Sequence, residues 1–159
     1  MIYQIEVTLN KGFKDVHGHN IKHDISYIGI KDKPDVRYTP LFHIEGSLDL
    51  RQINSIVKNL LIDPVTQNCI IKSISSKNNS DKGKKETAGY EVEVWFKPGV
   101  TDVVSESVIK AIKDLGIDEE LKVKTGHKYL FSGSVSLEAV KQIAERLLVN
   151  PMIQKYSIK

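Results

Sequence analysis

The stretch LLVNPMIQ at residues 147–154 repeats LLIDPVTQ at residues 60–67, and the echo extends over almost the whole chain. Residue i matches residue i + 87 without a gap. Tyr3, Glu6 and Val7 recur as Tyr90, Glu93 and Val94, and Gly12, Asp15 and Val16 as Gly99, Asp102 and Val103. Gly29 and Ile30 return as Gly116 and Ile117, Gly46 and Ser47 as Gly133 and Ser134, and Pro64 and Gln67 as Pro151 and Gln154. Roughly twenty of about seventy aligned positions are identical, and within the apolar pattern most of the others swap like for like, as Ile5 with Val92 and Ile53 with Val140. An internal duplication constrains the fold more than any composition does, because each copy must specify one small unit that cannot bury a large core alone.

The copies are expected over residues 1–74 and 90–159, joined by residues 75–89, SSKNNSDKGKKETAG. That joining segment has no large apolar side chain, so it cannot bury enough surface to fold and reads as a flexible linker. As a coil it would span on the order of 20 Å, ample for the copies to pack against each other.

Within each copy the same elements are predicted. YQIEVTL and YEVEVWF alternate with period 2 and read as strands. Asp15 and Asp102 stand where a helix N-cap belongs, followed by Ile21, Ile25 and Ile28 in one copy and Val104, Val108, Ile112 and Leu115 in the other. Gly29 and Gly116 suit left-handed helix ends. Two short strands are expected near residues 35–40 and 41–47, and again near 122–126 and 128–135. A second helix opens at Asp49 with Gln52 three residues on, a capping-box spacing, and Pro64 and Pro151 end its last turn. The order strand, helix, strand, strand, helix, strand is that of a ferredoxin-like unit. The expected fold is therefore α+β, with two ferredoxin-like βαββαβ repeats packed as a pseudo-symmetric dimer.

The net charge of +3 invites a nucleic-acid reading until the charge is located. Residues 75–89 hold four lysines against Asp81 and Glu86, whereas residues 1–74 carry nine basic and eight acidic side chains and residues 90–159 carry ten of each. Neither copy offers a clustered basic face, and no nucleic-acid partner is expected. Tyr129 and Phe131 share a strand face but lack the Gly-aromatic pattern of RNA-stacking sheets, so a packed face is expected there. No apolar run approaches the roughly 20 residues of a membrane span, and MIYQIEVTLN alternates where a signal peptide would be continuously apolar. A cytoplasmic protein with no membrane partner is expected, in agreement with its single cysteine, Cys69.

No catalytic constellation emerges. There is no nucleophile elbow, no phosphate loop and no base placed for Cys69, which reads as a packed structural thiol. In VHGHNIKHD, His19 and His23 stand one helical turn apart beside His17, a spacing that some metal sites use. The second copy has Val104, Glu106 and Lys110 at these positions, and solvated surface histidines with no bound metal are expected. Trp95 is the residue that breaks the local pattern. It falls on the strand face of Glu91 and Glu93, opposite the apolar face, and its counterpart is Thr8. An indole presented among polar side chains points to a protein interface.

Three stretches, VEVWFKPGVTDVVSESVIKAIKDLGI, VKTGHKYLFSGSVS and IAERLLVNPMIQKYSI, closely resemble the PurS family, the small subunit of phosphoribosylformylglycinamidine synthase. The second copy resembles it throughout. The first matches less well, with Lys11 in place of Pro98 and IDPVTQNCII as a looser closing signature. The resemblance implies a component of an ATP-dependent glutamine amidotransferase complex in purine biosynthesis, without catalytic residues or a cofactor of its own. It implies two partners, a large synthetase subunit and a glutaminase subunit, and a whole small-subunit dimer carried in one polypeptide, alone or dimerised again. Interface residues are then expected at Trp95 and in the repeated loops, at Gly12, Asp15, Gly99 and Asp102, where turn and cap chemistry also accounts for the loop residues. Two other classes stay open: an ACT-like small-molecule-binding regulatory module, and a scaffold subunit of an unrelated complex.

Overall fold

Alternation in the first strand, β1 (Ile2–Leu9), buries Tyr3, Ile5 and Val7 on one face, as period-2 patterning requires. The computed structural model describes residues 1–74 and 89–159. After β1 come α1 (Val16–Tyr27), β2 (Asp35–Glu45), α2 (Leu50–Ile56, continued by a π-helical turn at Val57–Leu61) and β3 (Gln67–Ile74). They are followed by β4 (Gly89–Phe96), α3 (Val103–Asp114), β5 (Lys122–Ser132), α4 (Leu137–Ile143, with a π-helical turn at Ala144–Leu148) and β6 (Gln154–Ile158). Starts recur 87 residues apart: Ile2 and Gly89, Val16 and Val103, Asp35 and Lys122, Leu50 and Leu137, Gln67 and Gln154. The linker expected over residues 75–89 lies outside the described residues except for Gly89, which opens β4. Among the described residues, no helix is long and apolar enough to cross a membrane.

Local chemistry explains where the helices begin and end. Asp49 and Gln52 form the expected capping box, with the Gln52 amide donating to Asp49 Oδ1 at 2.8 Å and the Asp49 amide donating to Gln52 Oε1 at 2.9 Å. Ser136 caps α4 through the Ala139 amide. Past α1 and α3 the chain turns at Gly29 (φ 81°) and Gly116 (φ 84°), left-handed values that favour glycine. Each second helix closes on a wide turn in which Ile62 N–H reaches Val57 O (3.2 Å) and Val149 N–H reaches Ala144 O (3.0 Å). The chain then runs extended into Pro64 or Pro151, which cannot continue a helix.

The described residues form two compact units. Unit 1 gathers residues 1–13, 40–74 and 101–125, and unit 2 gathers residues 14–39, 89–100 and 126–159. In unit 1, β1 pairs antiparallel with both β2 and β3, with Ile5 opposite Phe42 on one side and Ile71 on the other. Its core joins Tyr3, Ile5, Ile44, Ile53 and Ile56 with Ile112 of α3 and Val123 of β5. In unit 2, β4 pairs antiparallel with β5 and β6, with Val92 opposite Tyr129 and Ile158. Its core joins Val92, Val94, Phe131, Val140 and Ile143 with Ile25 of α1. Each unit therefore takes its first helix from the other half of the sequence, and sequence halves and compact units are different partitions of the chain.

This exchange corrects one expectation. The short strands predicted near 35–40 and 41–47 are one continuous strand, β2, and those near 122–126 and 128–135 are likewise one strand, β5. A hairpin there would need a tight turn with positive φ, and Gly126, in the middle of β5, is not among the glycines with positive φ. Both strands are shared between the units: unit 2 takes β2 up to Thr39 and β5 from Gly126, and unit 1 takes the remainder of each. Each unit thus holds segments of four strands and two helices, the complement of a ferredoxin-like unit, while each half of the sequence reads strand, helix, long strand, helix, strand.

Candidate protein-interaction surface

The face of β4 opposite Val92 and Val94 carries Glu91, Glu93 and Trp95, as the alternation predicts, but it is not loosely solvated. Glu93 is only 8% exposed. Its carboxylate accepts from Trp95 Nε1 at 3.3 Å and lies 3.5 Å from Lys159 Nζ. Lys128, also 8% exposed, stands 3.3 Å from Glu91. Nearly buried charges must be paired to be tolerated, and these are. Unit 1 repeats the theme at Glu6, which accepts from Lys72 (3.1 Å) and Gln4 (2.9 Å).

Trp95 sits directly across from Gly126 on β5. A Cβ on Gly126 would come within 2.6 Å of the indole, so the absence of a side chain there makes the slot in which the half-buried ring lies. Such cross-strand covering of a glycine by an aromatic ring fixes the ring's position.

The repeated loops follow one plan. Gly12 (φ 90°) and Gly99 (φ 82°) are exposed and adopt left-handed turns. Asp15 accepts from the Gly18 amide and from the Tyr38 amide, both at 2.8 Å, so that one carboxylate caps α1 and ties it to β2. Asp102 does the same for α3 and β5, accepting from the Ser105 amide (3.0 Å), the Thr125 amide (2.8 Å) and the Thr125 hydroxyl. Both carboxylates serve the fold directly. Of the five interface candidates, Trp95, Gly99 and Asp15 belong to unit 2, and Gly12 and Asp102 to unit 1.

A ring cluster in unit 2 was not anticipated as a group. His17 stacks on Tyr38 with centroids 3.8 Å apart, Tyr38 Oη is 2.7 Å from His127 Nδ1, and Tyr129 lies 5.4 Å from Tyr38. Burial, reinforced by the charge of Asp15, pushes the Tyr38 phenol up to about 12. Burial, then the neighbouring Tyr38, raises that of Tyr129 further. Both phenols are neutral at ordinary pH. The positions 87 residues away hold Val104, Thr125, Pro40 and Phe42, so the cluster has no equivalent in unit 1. That simultaneous exchange was the available signal, hidden because the four residues are far apart in sequence. His23 packs edge-on against Tyr27 (5.0 Å). Among the described residues, no three His, Cys, Asp or Glu side chains gather within metal-binding reach. Cys69 packs against the unit 1 core, and burial raises its thiol pKa, which disfavours the reactive thiolate.

Comparison with known proteins adds the family. The family described as phosphoribosylformylglycinamidine (FGAM) synthase, PurS, matches residues 89–159. The phosphoribosylformylglycinamidine synthase subunit PurS of Archaeoglobus fulgidus is 34% identical over 73 residues, which cover 91% of that protein and 43% of this chain. With the elements from β4 to β6 matched along their full course, the chain belongs to the PurS family.

Proposed function

We propose that this chain is a non-catalytic assembly subunit of phosphoribosylformylglycinamidine synthase in de novo purine biosynthesis. It bridges the ATP-dependent synthetase subunit and the glutaminase subunit, and so promotes conversion of formylglycinamide ribonucleotide to the amidine with glutamine-derived nitrogen. Family membership carries this reading. The chain further supplies two PurS-like repeats in one polypeptide, acting as a fused, pseudo-symmetric pair. Supporting this are the recurrence of element starts at a constant offset and the exchange of first helices, which leaves neither half of the sequence with a complete core of its own.

Trp95 and Gly12, Asp15, Gly99 and Asp102 of the repeated loops are the proposed contact residues, each within its own unit. An aromatic side chain held in a fixed place costs little entropy on binding and suits a contact surface. Sedimentation of the chain mixed with both subunits tests the bridging role. One species containing all three chains is expected, with the two large partners failing to join when this chain is left out.

A further inference from the structure

We infer that unit 2 carries a docking point adjoining Trp95, whose cross-strand partner Lys155 lines it: a solvent-open cavity that receives a segment of a partner protein bearing an apolar side chain flanked by carboxylates. This rests on the assembly reading above. The cavity, about 520 Å3, is lined by Val149, Pro151, Gln154 and Tyr156 together with Lys97, Lys155 and Glu145. Its exposed lining is mostly apolar, and its three charged side chains set the charge of what can enter. Glu145 is already engaged, accepting from Tyr156 Oη at 2.8 Å. Lys97 Nζ donates to Pro151 O, which leaves further donors of that ammonium for a partner. Two lysines against one hydrogen-bonded carboxylate favour an acidic visitor over a basic one.

Beside the cavity the chain presents Met152, 83% exposed, and Ile153. Their turn is held stiffly. The Met152 amide donates to Asn150 Oδ1 (3.1 Å), the Asn150 amide donates to Gln154 Oε1 (2.9 Å), and the Ile153 and Gln154 amides both donate to Asn150 O (3.1 and 2.8 Å). A solvent-exposed methionine on a preorganised turn loses little backbone freedom on binding and adapts its side chain to an apolar surface. The matching turn of unit 1 is braced the same way and presents Val65, but its surroundings differ. Asn10, Lys58, Asn68 and Cys69 stand at the positions of Lys97, Glu145, Lys155 and Tyr156. Asn10 instead reaches across to the carbonyls of Val65 and Gln67. The lysine-lined chemistry belongs to unit 2, and unit 1 serves as its internal control.

The test is calorimetric titration of the whole chain with the synthetase subunit and with the glutaminase subunit separately, at two salt concentrations. Lys155→Glu and Met152→Ser are each expected to weaken binding of one subunit about tenfold, the charge reversal also flattening its salt dependence. The unit 1 counterparts Asn68→Glu and Val65→Ser should stay within about threefold of the parent. All four side chains are at the surface, and melting temperature confirms that each variant folds. If the unit 2 variants bind as the parent does, the docking point is overturned and the assembly reading stands. If the parent binds neither subunit, both fall.

Discussion

The indole of Trp95 lies against the bare Cα of Gly126, so closely that a methyl group there would stand 2.6 Å from a ring carbon. Gly126→Ala must therefore push Trp95 from its place or open the β4–β5 pairing. Overpacking of this kind costs about 1–3 kcal/mol. We expect a lowered unfolding midpoint together with a shifted tryptophan emission maximum. An unchanged spectrum and midpoint would show that the ring is not seated as described.

Asp102 ties the start of α3 to β5 through two amides and a hydroxyl, and Asp15 ties α1 to β2 through two amides. Replacing either by alanine removes a cap and leaves amides without their acceptor, a loss of about 1–3 kcal/mol in denaturant unfolding. Asparagine should retain part of the stability at both positions, since its carbonyl can still accept.

Exchange of the first helices has a local signature. Ile112 is fully buried among residues of β1, β2 and α2, although it lies in the second half of the sequence. Ile112→Ala should cost about 2–5 kcal/mol. Amide hydrogen exchange should accelerate first in unit 1, at Tyr3, Ile5 and Val7, rather than in the β4 segment that shares its half of the sequence. Faster exchange at Val92 and Val94 with β1 unaffected would contradict the partition.

Tyr38 supplies a pH dependence. Its phenol is raised from 10.0 to about 12. A group whose pKa is higher folded than unfolded contributes stability that is complete below the unfolded value and is lost as pH rises through the folded value. Stability should therefore fall between about pH 10 and pH 12. Replacing Tyr38 by phenylalanine should shrink that fall, as read by melting temperature across the range.

Much of this architecture is legible in the residues. Alternation located β1 and β4, the Asp49 and Gln52 pair located the start of α2, and the glycine pairs located the ends of α1 and α3. The destination of each first helix was not legible, because an amphipathic stripe shows that a face is buried without showing against which sheet. In α3 the buried stripe differs from the one expected. Val104 is 54% and Leu115 40% exposed, while the buried face runs through Ser105 and Ile112 with Val108 and Ile109 packed beside it. Ser105 escapes a hydrophobic pattern because its burial is satisfied by a hydrogen bond, its hydroxyl donating to Val123 O at 2.6 Å. The continuous β2 and β5 were missed for a related reason: Pro40 and Gly126 look like breaks, yet each lies within an extended strand. Trp95 was legible as an anomaly of its face, whereas the glycine that receives it is visible only once β4 and β5 are in register.

The assembly role is tested most directly by following glutamine-dependent, ATP-consuming formation of the amidine product by the synthetase and glutaminase subunits of the same organism, with and without this chain. Strong dependence on the chain is expected, with glutamine-supported turnover falling at least about tenfold in its absence, the scale on which lost positioning acts. Full turnover without it would contradict the account.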